Sequence, residues 1–342
     1  NRGQKLADAV EIFRGQPRDV GVFPSSYLDR DGTDVLVLVR AETFFESTLH
    51  VVDGERLVQL PLPRRVDLQG VWSGQIVASL NEDWTVGGRT HASGTVVSFP
   101  LAAFLKSGRP EIAVVYAPGP RESFQQFDAS RAAAYLVVAE NVVTRAYRYA
   151  FRGGSWERLG DVPLPPRSQI TLGSIRADDE RAFLYSEGFT TPRSLYVSDG
   201  SGAPRRLDEM PARFDASRHV VEQFEATSKD GTRVPYFVVR PKDLKLDGSA
   251  PTLLYAYGGF QVTMPPAYSG TLGKLWLEDG GVYVLANIRG GGEFGPAWHQ
   301  AGLKTRRQVI YDDFAAVAED LVARKITSPR RLGIMGGSNG GL

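Results

Sequence analysis

Short apolar runs broken by turn signals fill the first two thirds of the chain. "DVLVLVRA", "STLHVV", "RLVQLPL", "QIVASL", "GTVVSFPL", "EIAVVYAP", "AAYLVVAE", "AYRYAF", "RAFLYS" and "SLYVSD" are rich in β-branched and aromatic residues and read as strands. Asp31-Gly32, Asp53-Gly54, Gly153-Gly154 and Asp199-Gly200 mark turns between them. The runs fall into four groups, Phe23 to Pro63, Gly70 to Pro118, Phe124 to Pro165 and Ile170 to Pro211. Each is about 40–50 residues long and has room for four strands, the size of a propeller blade. No long amphipathic helix is predicted before residue 212. The regular spacing therefore favours a propeller over a pair of β-sandwiches, which the same strands could also build.

The pattern changes near residue 215. "EQFEATSKDGTRVPYFVVRP" reads as a hairpin turning at Asp230-Gly231. "PTLLYAYGG" and "GGVYVLANIRGGG" are buried-type strands running into glycines. "DDFAAVAEDLVARK" is an amphipathic helix, with Phe314, Val317, Ala318, Leu321 and Val322 at helical spacing. Asp312 and Asp313 are placed to open that helix and to cap it or complement its dipole. "RRLGIMGGSNGG" adds another apolar strand entering a turn. Strands joined by crossovers of this length form a parallel sheet. The predicted organisation is a β-propeller over residues 1–215, four blades plus the end of a preceding one, then the first part of an α/β domain over 216–342.

The length of 342 residues agrees with two domains, and 42% hydrophobic with 23% charged residues is ordinary for a globular chain. Lys+Arg is 40 against Asp+Glu 39, so the net charge of +1 argues for neither a nucleic-acid partner nor an anionic membrane surface. No apolar run reaches the length of a membrane span. The absence of cysteine excludes disulfides, thiolate metal sites and a cysteine nucleophile, and no HExxH-type pattern suggests a metal. The start, "NRGQKLADAVEIF", lacks both an initiator Met and the apolar core of a signal peptide, so an earlier N-terminus is expected. The expected compartment is the cytoplasm, with the periplasm as the alternative; no cofactor and a monomer are expected.

The chemistry concentrates in the last residues. Gly336-Gly337-Ser338-Asn339-Gly340 fits G-x-S-x-G, the nucleophile elbow, and it follows the strand "LGIM". A nucleophilic serine on a sharp strand-to-helix turn needs glycine two residues before and two after, because any side chain there would clash. The following turn aims an amide at the developing oxyanion. A phosphate-binding turn is the competing reading, but no Gly-Lys-Ser/Thr signature accompanies it. The serine also needs a base. In this fold the order is Ser, Asp or Glu, then His, yet His50, His91, His219 and His299 all precede Ser338. His50 and His91 are assigned surface or loop roles, and all four are read as structural rather than catalytic. The chain is therefore read as a fragment, with its acid and base beyond Leu342.

From Val221 onward the sequence resembles the prolyl oligopeptidase family of serine peptidases. "SKDGTRVPYFVVRPK", "LLYAYGGF", "ANIRGGGEFGPAWHQAG", "YDDFAAVAEDL" and "GIMGGSNGGL" follow in the family's order and spacing, and "EGFTTPRSLYV" resembles its last-blade segment. The resemblance implies an α/β-hydrolase domain, cut here after the elbow, covered by a seven-bladed propeller that restricts substrates to short peptides. Carried over by position, Ser338 would be the nucleophile and Asn339 would offer its backbone N–H to the oxyanion. Tyr257 would give its hydroxyl as the second donor, and Phe260 would line a pocket for a proline ring. Arg289 and Glu293 are expected to pair within "IRGGGEFG".

Three functions follow. The first is a serine oligopeptidase cutting short peptides after proline, through a Ser-Asp-His triad of which this chain holds only the serine; the fragment alone would be inactive. The second is a related acyl-aminoacyl peptidase or carboxylesterase, disfavoured because "YAYGGF" stands where an esterase carries an HGGG-type loop. The third is an inactive fragment or a propeller binding module.

Overall fold

The computed structural model describes residues 3–341. The chain forms two compact units. One comprises the residues up to Tyr116 together with Phe151–Trp156, and the other Ala117–Ala150 together with Glu157 onward.

Four antiparallel sheets of four strands account for residues 21–209. In the first, Gly21–Leu28, Asp34–Ala41, Ser47–Asp53 and Arg56–Gln59 lie side by side in chain order. The third (Glu122–Ala129, Ala134–Glu140, Val143–Arg152, Ser155–Asp161) and the fourth (Gln169–Ile175, Ala182–Gly188, Thr191–Ser198, Arg205–Glu209) repeat this meander, the form of a propeller blade. The second sheet departs from it. Between Gln75–Leu80 and Val96–Pro100 the chain makes a separate hairpin of Trp84–Val86 and Arg89–His91. Before the last strand, Ala113–Tyr116, comes a helix, Leu101–Ser107, whose Leu101 and Phe104 are buried. At seven residues that helix is too short to show a periodicity.

Position in the sheet explains composition. Ala134–Ala139 and Gln75–Leu80 are buried at every residue, so these inner strands are mainly apolar rather than alternating, with Gln75 and Ser79 as buried polar exceptions. Arg205–Glu209 is exposed at every residue. Its run of charges guards an open edge against pairing with another chain. Pro24, which has no N–H to donate, lies in the strand at the other kind of edge, paired on one side only.

The sequence beyond the fourth sheet builds a five-stranded sheet in the spatial order His219–Thr227, Arg233–Pro241, Val282–Ala286, Thr252–Tyr255, Leu332–Met335. The first two are the hairpin expected around Asp230-Gly231, and the last three are mutually parallel. The Gln308–Ala323 helix buries Ile310, Ala316, Val317 and Leu321 against Val234, Tyr236, Leu254 and Val284. It begins four residues earlier than its sequence pattern suggested. Asp312 and Asp313 consequently lie inside the helix and do not cap it.

Candidate active site

The three parallel strands end on one edge, and their register brings the candidate residues together there. Tyr255 is paired with Met335 and with Leu285, so the chain leaves all three strands at the same level. In open α/β sheets, ligands bind beyond the carboxyl ends of the strands. Tyr257 follows the first strand by two residues, Ser338 follows the third by three, and the Arg289–Glu293 loop follows the middle one.

Ser338 is exposed and has φ +49°, a backbone region uncommon for any residue but glycine. It follows an extended Gly337 and opens a single 3₁₀ turn, Ser338–Gly340, closed by the Gly340 N–H donating to the Gly337 carbonyl at 2.9 Å. The crowding expected at the flanking glycines is present. A Cβ on Gly336 would lie 1.7 Å from the Gly340 carbonyl oxygen, and one on Gly340 would lie 2.5 Å from that of Ala256.

Asn339 joins this turn to the neighbouring strand end. Its Nδ2 donates to the carbonyls of Tyr257 at 3.0 Å and Gly258 at 3.1 Å. Tyr257 is half-buried and lines a cavity with Arg307, Tyr311, Met335 and Asn339. The next residues are conformationally unusual: Phe260 and Gln261 have φ +52° and +59°. Left-handed conformations at such residues cost on the order of 1–3 kcal/mol each and persist where the surroundings dictate them. The Phe260 residue is 47% exposed, so it is not one of the core-packing aromatics.

Beneath this loop runs "IRGGGEFG". A Cβ on Gly290 would lie 2.4 Å from the Gly258 carbonyl oxygen, so the two backbones lie in close contact. The Arg289–Glu293 ion pair expected here does not form. Arg289 turns instead to Asp313, donating from its backbone N–H at 3.0 Å, Nε at 2.9 Å and Nη2 at 2.6 Å, and to Asp230, from Nη1 at 2.5 Å. These two carboxylates raise the guanidinium pKa, and Arg289 holds the exposed Asp230 carboxyl well below its ordinary value. The hairpin turn, the loop and the helix are thereby tied together. Sequence proximity suggested Glu293 as the partner, whereas the partners that form lie 59 and 24 positions away.

Glu293 is 1% exposed. Its Oε1 accepts from the Met264 N–H at 3.1 Å and from Asn287 Nδ2 at 3.3 Å, and Asn287 Nδ2 also donates to the Met264 carbonyl at 2.8 Å. The pair clamps both backbone groups of Met264, shortly after Phe260. Glu293 Oε2 is buried with no hydrogen-bond partner. Burial pushes this carboxyl up to about 7 from 4.5. The folded state thus holds the proton more tightly than the unfolded chain. The stability this contributes is complete below about pH 4.5 and is lost as pH rises to about 7. Glu293→Gln should lack that loss, about 3 kcal/mol at 1.36 kcal/mol per pKa unit. Urea midpoints measured across this range should diverge, with the Gln variant relatively more stable above neutrality; parallel curves would mean that the carboxyl is ionised throughout.

The histidines have other partners. His299 Nδ1–H donates to the Gly290 carbonyl at 2.7 Å, and the ring of His219 lies between the carbonyls of Leu277 at 3.0 Å and Asp215 at 3.2 Å. His50 and His91 are on strands rather than in surface loops. His91 is 5% exposed beside Trp84, and burial, then Arg89, lowers its pKa. Among the described residues no cluster of three or more His, Cys, Asp or Glu could hold a metal ion. Leu342, the last residue of the "GIMGGSNGGL" segment, lies outside the described residues. Arg307, Asp313 and the burial of Glu293 were missed in the sequence, because each carries a charge of the kind that usually marks a solvated surface.

The sequence profile of the prolyl oligopeptidase family matches residues 268–342. An uncharacterized peptidase of Sinorhizobium fredii (strain NBRC 101917 / NGR234) is 46% identical over 349 aligned residues, covering 100% of this chain and 48% of that protein. A prolyl endopeptidase from Elizabethkingia miricola is 38% identical over 171 residues, covering 50% of this chain and 24% of its own length. The solved structure of a post-proline cleaving enzyme from Rickettsia typhi matches with a TM-score of 0.92 and 31% identity, over 99% of this chain and 50% of that one. The chain spans about half the length of the curated relatives it matches. The profile match begins after the Tyr257–Gln261 loop, while the structural match takes in almost the whole chain. Sequence and structure give one classification: the chain belongs to the prolyl oligopeptidase family.

Proposed function

We propose that the full-length protein is a serine peptidase that hydrolyses short peptides on the C-terminal side of proline. The observation that carries this reading is Ser338: exposed, at φ +49°, between glycines that admit no side chain, beyond the carboxyl ends of three parallel strands. In this reading Ser338 Oγ attacks the peptide carbonyl, a histidine takes its proton, and water later releases the acyl group. The histidine and its carboxylate partner come from outside this chain, since His219 and His299 are engaged with main-chain carbonyls. This chain alone is therefore inactive. The Asn339 N–H and the Tyr257 hydroxyl stabilise the oxyanion, and the exposed ring of Phe260 receives the proline. The four four-stranded sheets belong to a seven-bladed propeller that limits access to short, flexible peptides.

A fluorophosphonate should label the full-length protein at Ser338 alone, and a proline-containing octapeptide should be cut after its proline. Labelling that persists in Ser338→Ala would remove the assignment. Tyr257→Phe should preserve the fold and lower turnover by about 10²–10³, the usual loss for one oxyanion donor. Unchanged turnover would return Tyr257 to a packing role.

A further inference from the structure

The side chain of Asn339 is held from three directions. Its Nδ2 spans the carbonyls of Tyr257 and Gly258, while its Oδ1 accepts from Arg307 Nη2 at 3.1 Å. These partners settle which way the amide faces. Arg307 has donors only and the two carbonyls have acceptors only, so a flipped amide would oppose like groups on both sides. Arg307 is itself fixed. It is half-buried at the N-terminal boundary of the Gln308–Ala323 helix, follows the Lys304–Arg306 turn, and donates through Nε to the Tyr311 hydroxyl at 3.3 Å. One guanidinium therefore connects the helix start to the serine turn, and through Asn339 to the strand end that carries Tyr257.

We propose that Arg307 is a positioning residue for oxyanion stabilisation, fixing the Asn339 side chain and with it the Asn339 backbone N–H relative to Tyr257. The inference rests on the function proposed above and adds a residue to it. Two donors from different segments must converge on one oxygen atom, and displacement by about 1 Å can cost about 10² in rate. Ser338, at positive φ in a glycine-rich turn, has little in its own backbone to hold that geometry. The Arg307–Asn339 bond supplies a constraint from outside the turn, and a bond from a charged donor is stronger than a neutral one.

The test uses the full-length enzyme, a proline-containing chromogenic peptide and the variants Arg307→Ala, Arg307→Lys, Asn339→Ala and the Arg307→Ala/Asn339→Ala double variant, with Ser338→Ala alongside. Arg307→Ala should lower kcat by about 10–100-fold with KM changed less than about twofold. Arg307→Lys should recover part of the loss, and so should added guanidinium ion with Arg307→Ala. Asn339→Ala should lose a similar factor and the double variant little more, because both act through one contact. A kcat within twofold of wild type in a folded Arg307→Ala protein overturns the proposal, as do losses that multiply in the double variant. Should Arg307→Ala fail to fold, Arg307→Gln carries the same criterion. Turnover that survives Ser338→Ala sinks the peptidase reading and this proposal with it, whereas turnover lost in Ser338→Ala but intact in Arg307→Ala sinks this proposal alone.

Discussion

Ser338→Ala in the full-length protein is expected to lower turnover of a proline-containing peptide by about 10⁶-fold, with far-UV circular dichroism unchanged. Members of a nucleophile–base unit fail together, so removing the serine costs about as much as removing the whole unit, on the order of 10⁶ in kcat. A residual rate above that of water should remain, because the oxyanion donors proposed at Asn339 and Tyr257 do not depend on the serine hydroxyl. Methyl for hydroxymethyl is also a mild change structurally. Ser338 is exposed, and alanine demands no more of the left-handed backbone than serine does. A fall of less than tenfold would show that another group performs the attack.

Asp313→Ala is expected to destabilise the protein by about 4 kcal/mol, within the 3–5 kcal/mol typical of breaking a buried pair by removing one partner. Asp313 is 0% exposed and Arg289 is 6% exposed. Three N–H groups of Arg289 converge on the two oxygens of this carboxylate. Without it, the guanidinium keeps the neutral Ser228 hydroxyl at 3.3 Å and a single carboxylate, Asp230, whose side chain is 46% exposed and whose attraction is correspondingly screened. Asp313→Asn, which keeps an acceptor but loses the charge, should cost less. Urea unfolding followed by circular dichroism measures both. Equal stability of Asp313→Ala and wild type would mean that Asp230 and water can replace the buried carboxylate.

What the sequence made legible depended on where a residue lies in its sheet. Gln75–Leu80 and Ala134–Glu140, flanked by strands on both sides, announced themselves by predominantly apolar runs. The outermost strands of the third and fourth sheets did not. Ser155–Asp161 and Arg205–Glu209 are polar at most positions because their side chains face water, and they are not among the strand runs read from the sequence. The elbow was readable because its geometry excludes side chains at two positions, a demand that only glycine meets. Asp313 was misread for a related reason. An acid near the start of an apolar periodicity usually serves the helix dipole, and nothing local indicates that the helix begins at Gln308 or that an arginine 24 positions earlier turns inward to meet it. Partners chosen by tertiary folding, such as Asp230 for Arg289 or Arg307 for Asn339, leave no mark in the spacing of either residue.

The parallel register of Thr252–Tyr255 with Leu332–Met335 also bears on the order of assembly. The two strands are about eighty positions apart, and closing so long a loop is slow relative to forming the meanders, whose strands meet across short turns. Asn339, next to the left-handed Ser338, reaches the carbonyls of Tyr257 and Gly258 only after that closure. A partly folded molecule with every meander complete would still lack the serine's working geometry. For the serine nucleophile proposed above, chemical competence then waits on a long-range contact rather than on any local turn.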